Sequence, residues 1–198
     1  MGGLSIFLGS MATLVMCLSL QDWVTLKYFF ISLALMFIIG LRDDILALTA
    51  KQKFYSQFLP ILTLVLIDNT RLSSTYDVMG EFYFPEIVSI ILTAFVLLIL
   101  TNAYNLIDGL DGLAGTIGFI ILLFFGIWFY EIGEMSISYI AFAFCGALLA
   151  FLYFNWQPSK IFMGDTGALM IGLLISYLSI RFINTNYTLP DAHAFKFE

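Results

Sequence analysis

Residues 87–115 read IVSIILTAFVLLILTNAYNLIDGLDGLAG. Ile87–Ala103 carries no charged side chain. A membrane-crossing helix needs about 20 mostly apolar residues, because the hydrocarbon core is about 30 Å thick and each residue rises about 1.5 Å. An open strand would leave its backbone groups unpaired in lipid, so the run predicts an α-helix. It gives way to Asn102, Asn105, Asp108 and Asp111, interleaved with Gly109, Gly112 and Gly115. An apolar helix that opens into a glycine-bounded acidic segment predicts chemistry at a membrane surface.

Six further stretches come near the same length: Gly3–Leu20, Trp23–Leu41, Phe54–Ile67, Leu113–Tyr130, Met135–Phe154 and Ala168–Ile183. The expectation is an all-α, polytopic transmembrane bundle of about seven spans. It comprises a membrane-embedded domain over residues 1–183 and a polar tail over 184–198. The stretch Phe54–Ile67 is the shortest, and it holds Ser56, Gln57 and Pro60. Composition agrees, since the 198 residues are 61% hydrophobic and only 11% charged. A soluble domain carries about 25% charged residues. Cys17 and Cys145 fall inside apolar runs and show no metal-site spacing. No basic segment and cleavage site open the chain, so it does not read as a signal peptide.

Each span switches sides. Met1–Gly3, Arg42–Lys53, Asn105–Gly112 and Asn155–Gly167 therefore fall on one face. Gln21–Asp22, the loop Asp68–Glu86 (with a short hairpin expected at Met79–Gly80), Glu131–Glu134 and the residues after Ile183 fall on the other. The first face gathers Asp43, Asp44, Lys51, Lys53, Asp108, Asp111, Lys160 and Asp165. Lys and Arg counts tie between the faces. Three of the four on the acidic face share one short loop, which favours a cytoplasmic acidic face.

Three clusters carry the candidate chemistry. Asp43 and Asp44 are adjacent at the end of the second span, where a carboxylate pair repels itself unless a cation lies near; the alternative is a solvated helix end. Asn105, Asp108 and Asp111 are three apart, which on a helix would make one oxygen-lined face suited to a hard cation such as Mg²⁺ or Mn²⁺. The glycines beside them would admit a phosphate or another helix close to the backbone. Asp165 stands between Gly164 and Gly167 before the seventh span, as a ligand or as a helix N-cap. Lys53 and Lys160 offer positive charge to phosphate, while Lys51 reads as a topology signal. His193, in the tail on the other face, has no catalytic role in this reading.

At these clusters the chain resembles the polyprenyl-phosphate N-acetylhexosamine-1-phosphate transferase family, of the undecaprenyl-phosphate GlcNAc-1-phosphate transferase type. The matching strings are Gly2-Gly3 with Ser5–Gly9, Asp43-Asp44 with Thr49–Lys53 and Gln57, Asn102–Gly115, and Asn155 with Pro158 and Ile161–Gly167. The resemblance implies transfer of a sugar-1-phosphate, GlcNAc-1-phosphate by preference, from a UDP-sugar to polyprenyl phosphate, with release of UMP, for cell-envelope polysaccharide synthesis. It implies Mg²⁺, with Mn²⁺ as substitute, held by Asp165 and Asn105. Asp43, Asp44, Asp108 and Asp111 are implied as catalytic positions, and Lys53, Asn102, Gly109 and Gly112 as substrate-binding positions. Expected partners are the UDP-sugar, the polyprenyl-phosphate lipid and the membrane, with a homodimer as candidate assembly and no nucleic acid. The expected location is the cell (inner) membrane, multi-pass, with a cytoplasmic active site.

The family also has a helix before the glycine start and a His-rich loop after the last span seen here. The sequence is therefore expected to be a piece of the transferase that turns over little donor alone. The competing readings are a cation-coupled transporter, whose acids should sit at mid-span, and an inactive fragment.

Overall fold

The computed structural model describes residues 2–76, 82–156 and 158–189. The expected hairpin at Met79–Gly80, and His193 with the end of the tail, lie outside them. Among the described residues every regular element is helical: α1 (Gly2–Cys17), α2 (Leu20–Thr25), α3 (Lys27–Ile45), α4 (Ala50–Ser56), α5 (Phe58–Leu62), a π-helical turn (Thr63–Ile67), α6 (Glu86–Ile107), α7 (Leu113–Glu131), α8 (Met135–Asn155) and α9 (Gly164–Thr188). An antiparallel bridge joins Ser74 to Tyr83.

The structure shows part of the expected seven spans. Four helices, α6 to α9, are long and apolar enough to cross a membrane, and the protein is a membrane protein. α1 has only 16 residues, or about 24 Å of rise. α3 has 19 residues but ends in Arg42-Asp43-Asp44. The Phe54–Ile67 stretch breaks into α4, α5 and the π turn. Pro60 has no N–H to give and is tolerated in the first turn of α5. The π turn then widens the coil, with Asp68 N–H bonding back to Thr63 C=O at 3.1 Å.

This broken segment still runs along α6. At one end the Gln57 and Asn102 side-chain amides bond reciprocally, at 2.7 and 3.3 Å. At the other, Arg71 meets Glu86 at 2.9 Å. Extended chain completes the path, its backbone satisfied by α6 side chains. Leu72 N–H donates to Thr93 Oγ1 at 2.9 Å, and Ser89 Oγ donates to Leu72 C=O at 2.6 Å. Non-helical backbone at membrane depth persists only where protein satisfies it in this way.

α9 forms the centre of the bundle. Fourteen of its residues are buried, and it packs against α1, α3, α6 and α7. It continues to Thr188, five residues past the apolar stretch that ends at Ile183. Phe29 of α3 stacks on Tyr177 of α9, with centroids 4.4 Å apart. The two ends of the bundle each gather the segments assigned to one face. Gly2 and Gly3 N–H bond to Phe162 and Met163 C=O at 2.8 and 3.0 Å. At the opposite end Ser136 Oγ donates to Asp22 at 2.6 Å, and Asn184 Nδ2 to Arg71 C=O at 3.0 Å.

Gly40 allows α3 to touch the start of α9. A Cβ there would lie 2.6 Å from both Asp165 O and Thr166 Cα. Those are backbone atoms of a buried helix and cannot yield cheaply. Gly40→Ala should therefore lower the melting temperature in detergent, by about 1–3 kcal/mol of overpacking strain. Gly146→Ala, where a Cβ would meet nothing within 4 Å, should not lower it. Equal melting of the two variants would contradict this packing.

Candidate active site

The start of α9 lacks a cap of its own. Its N-cap residue, Met163, offers no side-chain acceptor. Gly164 follows with φ +71°, the left-handed region where L side chains are strained. The cap comes instead from α3. Asp44 Oδ1 accepts from Asp165 N–H at 2.8 Å, and Asp44 Oδ2 from Thr166 N–H at 3.1 Å and from the Thr166 hydroxyl. A Cβ on residue 164 would meet Asp44 Oδ2 at 2.8 Å. The N-cap role, the alternative to a ligand role for Asp165, is thus filled by Asp44, 121 residues away. Asp165 in turn sits inside the first turn of α9, and its side chain is engaged by Asn105 and Lys53.

Around Asp165 the remaining groups converge. Asn105, near the end of α6, donates Nδ2 to Asp165 Oδ1 at 2.7 Å. Lys53, from α4, pairs with the same oxygen and lies 3.0 Å from Asp43 Oδ2. The other oxygen of Asp43 takes Leu48 N–H at 2.7 Å, which fixes the turn between α3 and α4. Burial drags the Lys53 ammonium down, but its pairs with Asp165 and Asp43 win and hold it above the usual lysine range. Asp108 feels the opposite balance. Burial first, then the charges of Asp165 and Asp44, push its carboxyl up to about 6, against a weaker pull from the Gly164 backbone.

The row Asn105–Asp108–Asp111 is not one helix face, and this corrects the sequence reading. α6 stops at Ile107, and Asp108 leaves helical geometry at φ −76°, ψ 26°. Gly112, at φ +76°, is the N-cap of α7. The glycines that interrupt the row make helix costly there. Asp108 stays beside the cluster, whereas Asp111 is exposed on the turn. Gly109 is exposed with open space around it, and the Gly112 N–H is committed to Asn155 Oδ1 at 2.9 Å. Asn102 is engaged by Gln57, one turn below Asn105. Lys51 and Lys160 are exposed.

Two supporting residues were not assigned roles from sequence. Thr166 completes the Asp44 cap, and Asn155 holds both Gly112 N–H and, through Nδ2, Ile161 C=O at 2.8 Å. Their signal lay in the strings Gly164–Gly167 and Asn155–Pro158, but neither carries charge. Two recesses lie elsewhere: an apolar groove of about 430 Å³ between α1 and α8, and a polar one of about 500 Å³ near Arg71 and Glu86.

The donors fit a hard divalent cation. Their side chains offer oxygens: Asp43 and Asp165 share the Lys53 ammonium, while Asp44 and Asp108 lie close by without a contact to it among the described residues. Among the described residues no three His, Cys, Asp or Glu side chains form a ready cage. Mg²⁺ needs none, since it takes one or two carboxylates and keeps water or phosphate for the rest of its shell.

The family profile described as Glycosyl transferase family 4 matches residues 26–183. The chain belongs to this family. The match runs from α3 into α9 and spans every residue of the cluster. The chain is 32% identical over 192 residues, 96% of its length, to a "Probable undecaprenyl-phosphate N-acetylglucosaminyl 1-phosphate transferase" of Bacillus subtilis (strain 168), covering 52% of that protein. It is 40% identical over 167 residues, 77% of its length, to a "Phospho-N-acetylmuramoyl-pentapeptide-transferase" of Prochlorococcus marinus (strain MIT 9515), covering 46% of that protein. The chain spans about half the length of these curated relatives.

Two outcomes test the geometry. Asp44→Ala should cost about 1–2 kcal/mol of stability through the lost cap, and Asp44→Asn, which keeps an acceptor oxygen, should cost less. Thermal melts of both variants in detergent decide it. The second concerns pH. An aspartate raised from 3.8 to about 6 favours folding fully below its ordinary value and loses that contribution as pH rises through about 6. With chelator present, Asp108→Asn should melt higher than the parent at pH 7.5, and the difference should shrink at pH 5.

Proposed function

We propose that the protein transfers a sugar-1-phosphate, GlcNAc-1-phosphate by preference, from a UDP-sugar to undecaprenyl or another polyprenyl phosphate, releasing UMP. The product would serve cell-envelope polysaccharide synthesis. The carrying observation is the convergence of Asp43, Asp44, Lys53, Asn105, Asp108 and Asp165 at one end of an apolar bundle, around the capped start of α9. A transport path would instead need acids along the middle of the spans. The Bacillus subtilis match over 96% of the chain supports the GlcNAc donor. We retain seven crossings and a cytoplasmic, inner-membrane active site in this reading, supported by the gathering of like-assigned loops at each end. A homodimer remains the candidate assembly.

In the reaction an oxygen of the lipid phosphate attacks the donor phosphorus that carries the sugar. The bond from that phosphorus to the bridging oxygen breaks, and UMP leaves with the bridging oxygen. The nucleophile is already anionic near neutral pH, so the barrier is mostly repulsion between anions. When bound, Mg²⁺ or Mn²⁺ on Asp165 and Asn105 would neutralise charge on the donor diphosphate. Lys53 lies beside the same oxygen and offers an ammonium to phosphate. Asp44 holds Asp165 in place through the α9 backbone. Asp43 orients Lys53 from the opposite side. Asp108, Asp111, Asn102, Gly109 and Gly112 remain proposed as catalytic or substrate-binding positions.

Membranes containing the native protein, given labelled UDP-GlcNAc, undecaprenyl phosphate and Mg²⁺, should form labelled lipid that disappears on chelation. Asp165→Asn should reduce this by a factor of at least about 10² while its melting stays near that of the parent. Labelled lipid from UDP-MurNAc-pentapeptide alone would reassign the donor. No lipid product from either donor would overturn the reading.

A further inference from the structure

Lys53 is the cluster's cation, and it makes two ion pairs at once. Its Nζ lies 3.0 Å from Asp43 Oδ2 and also contacts Asp165 Oδ1. That Asp165 oxygen takes Asn105 Nδ2 at 2.7 Å as well. The Asp43 side chain is 6% exposed, so without Lys53 it would be a nearly buried, uncompensated charge facing Asp165. Lys53 itself rides on a seven-residue helix, α4, closed at its start by a capping box of Thr49 and Gln52. Its ammonium sits at the end of a flexible four-carbon stem.

A divalent cation on Asp165 would need the oxygen surface that this ammonium covers. Two cations in contact with one carboxylate oxygen repel each other, and the divalent one gains more from the surrounding aspartates. Asp43 would still hold the displaced ammonium. The site would then present a metal and an ammonium close together, which repel unless an anion lies between them.

We propose that Lys53 is an exchangeable counter-ion: it bridges Asp43 and Asp165 when no metal is bound, and a divalent cation displaces it from Asp165, leaving it on Asp43 and open to a phosphate oxyanion. This rests on the divalent-dependent transfer reading and adds an order, with metal before phosphate.

The test uses the full chain in detergent and Mn²⁺ alone, with free Mn²⁺ followed by electron paramagnetic resonance. Lys53→Met should bind Mn²⁺ about tenfold tighter or more, since the competing charge is gone. Lys51→Met, on the exposed side of the same helix, should match the parent. Lys53→Met binding Mn²⁺ as the parent does, or more weakly, overturns the exchange. Amine labelling of the unmodified protein, read by mass spectrometry, keeps the test independent of the variant's folding. Lys53 should label several-fold faster with Mg²⁺ than with chelator, while Lys51 and Lys160 stay constant. An unchanged or slower Lys53 overturns the proposal. If neither parent nor variant binds Mn²⁺, the divalent part of the function reading falls with it, whereas binding without exchange removes this inference alone.

Discussion

Asp44 capping the first turn of α9 is the interaction on which the site depends. A helix N-terminus leaves N–H groups without partners and concentrates partial positive charge. Most helices meet that need with the residue just before them, but Met163 and Gly164 have no side-chain acceptor to offer. The carboxylate that meets it arrives from α3, and it can do so only because Gly40 lets the two backbones touch. The same contact settles where Asp165 stands. A central helix with fourteen buried residues then transmits that position to the rest of the bundle.

Electrostatics follow from that placement. Four carboxylates share one end of an apolar body, where low dielectric strengthens both attraction and repulsion. Lys53 relieves part of the repulsion, which is why its own proton is held tightly. Asp108 has no such cation beside it among the described residues, and its raised affinity for a proton records its burial first and then the charges of Asp165 and Asp44. A site left with excess negative charge is prepared for a cation, and a cation among aspartates is prepared for phosphate. Chemistry at phosphorus between two anions needs that sequence of charges and little more from the protein than position.

The path between α4 and α6 shows how the bundle tolerates irregular chain. A half-length helix, a π turn and an extended strand-like segment replace a full span. Serine and threonine hydroxyls of α6 satisfy the extended backbone. The amide pair of Gln57 and Asn102 locks the top of this segment beneath Asn105. The arrangement sets α4, and with it Lys53, over the acids.

The sequence alone determined the fold class, the membrane setting and the common end of Asp43, Asp44, Asp108 and Asp165. Those follow from hydrocarbon thickness and from counting crossings, which depend on composition and order and not on contacts. It could not determine that Asp44 caps a distant helix, that Lys53 joins Asp43 to Asp165, or that the Asn105–Asp111 row breaks at Ile107. Spacing of three suggests a helical face, but a run holding Gly109 and Gly112 turns instead, because glycine gives up too much freedom in a helix. Nor could it show that Phe54–Ile67 is less than a full helix, since hydropathy does not register the lost N–H of Pro60 or the π turn. Partners separated by 121 positions are chosen by which backbones can approach. That choice is made by packing, through a missing Cβ at Gly40, and it exists only once the helices are assembled.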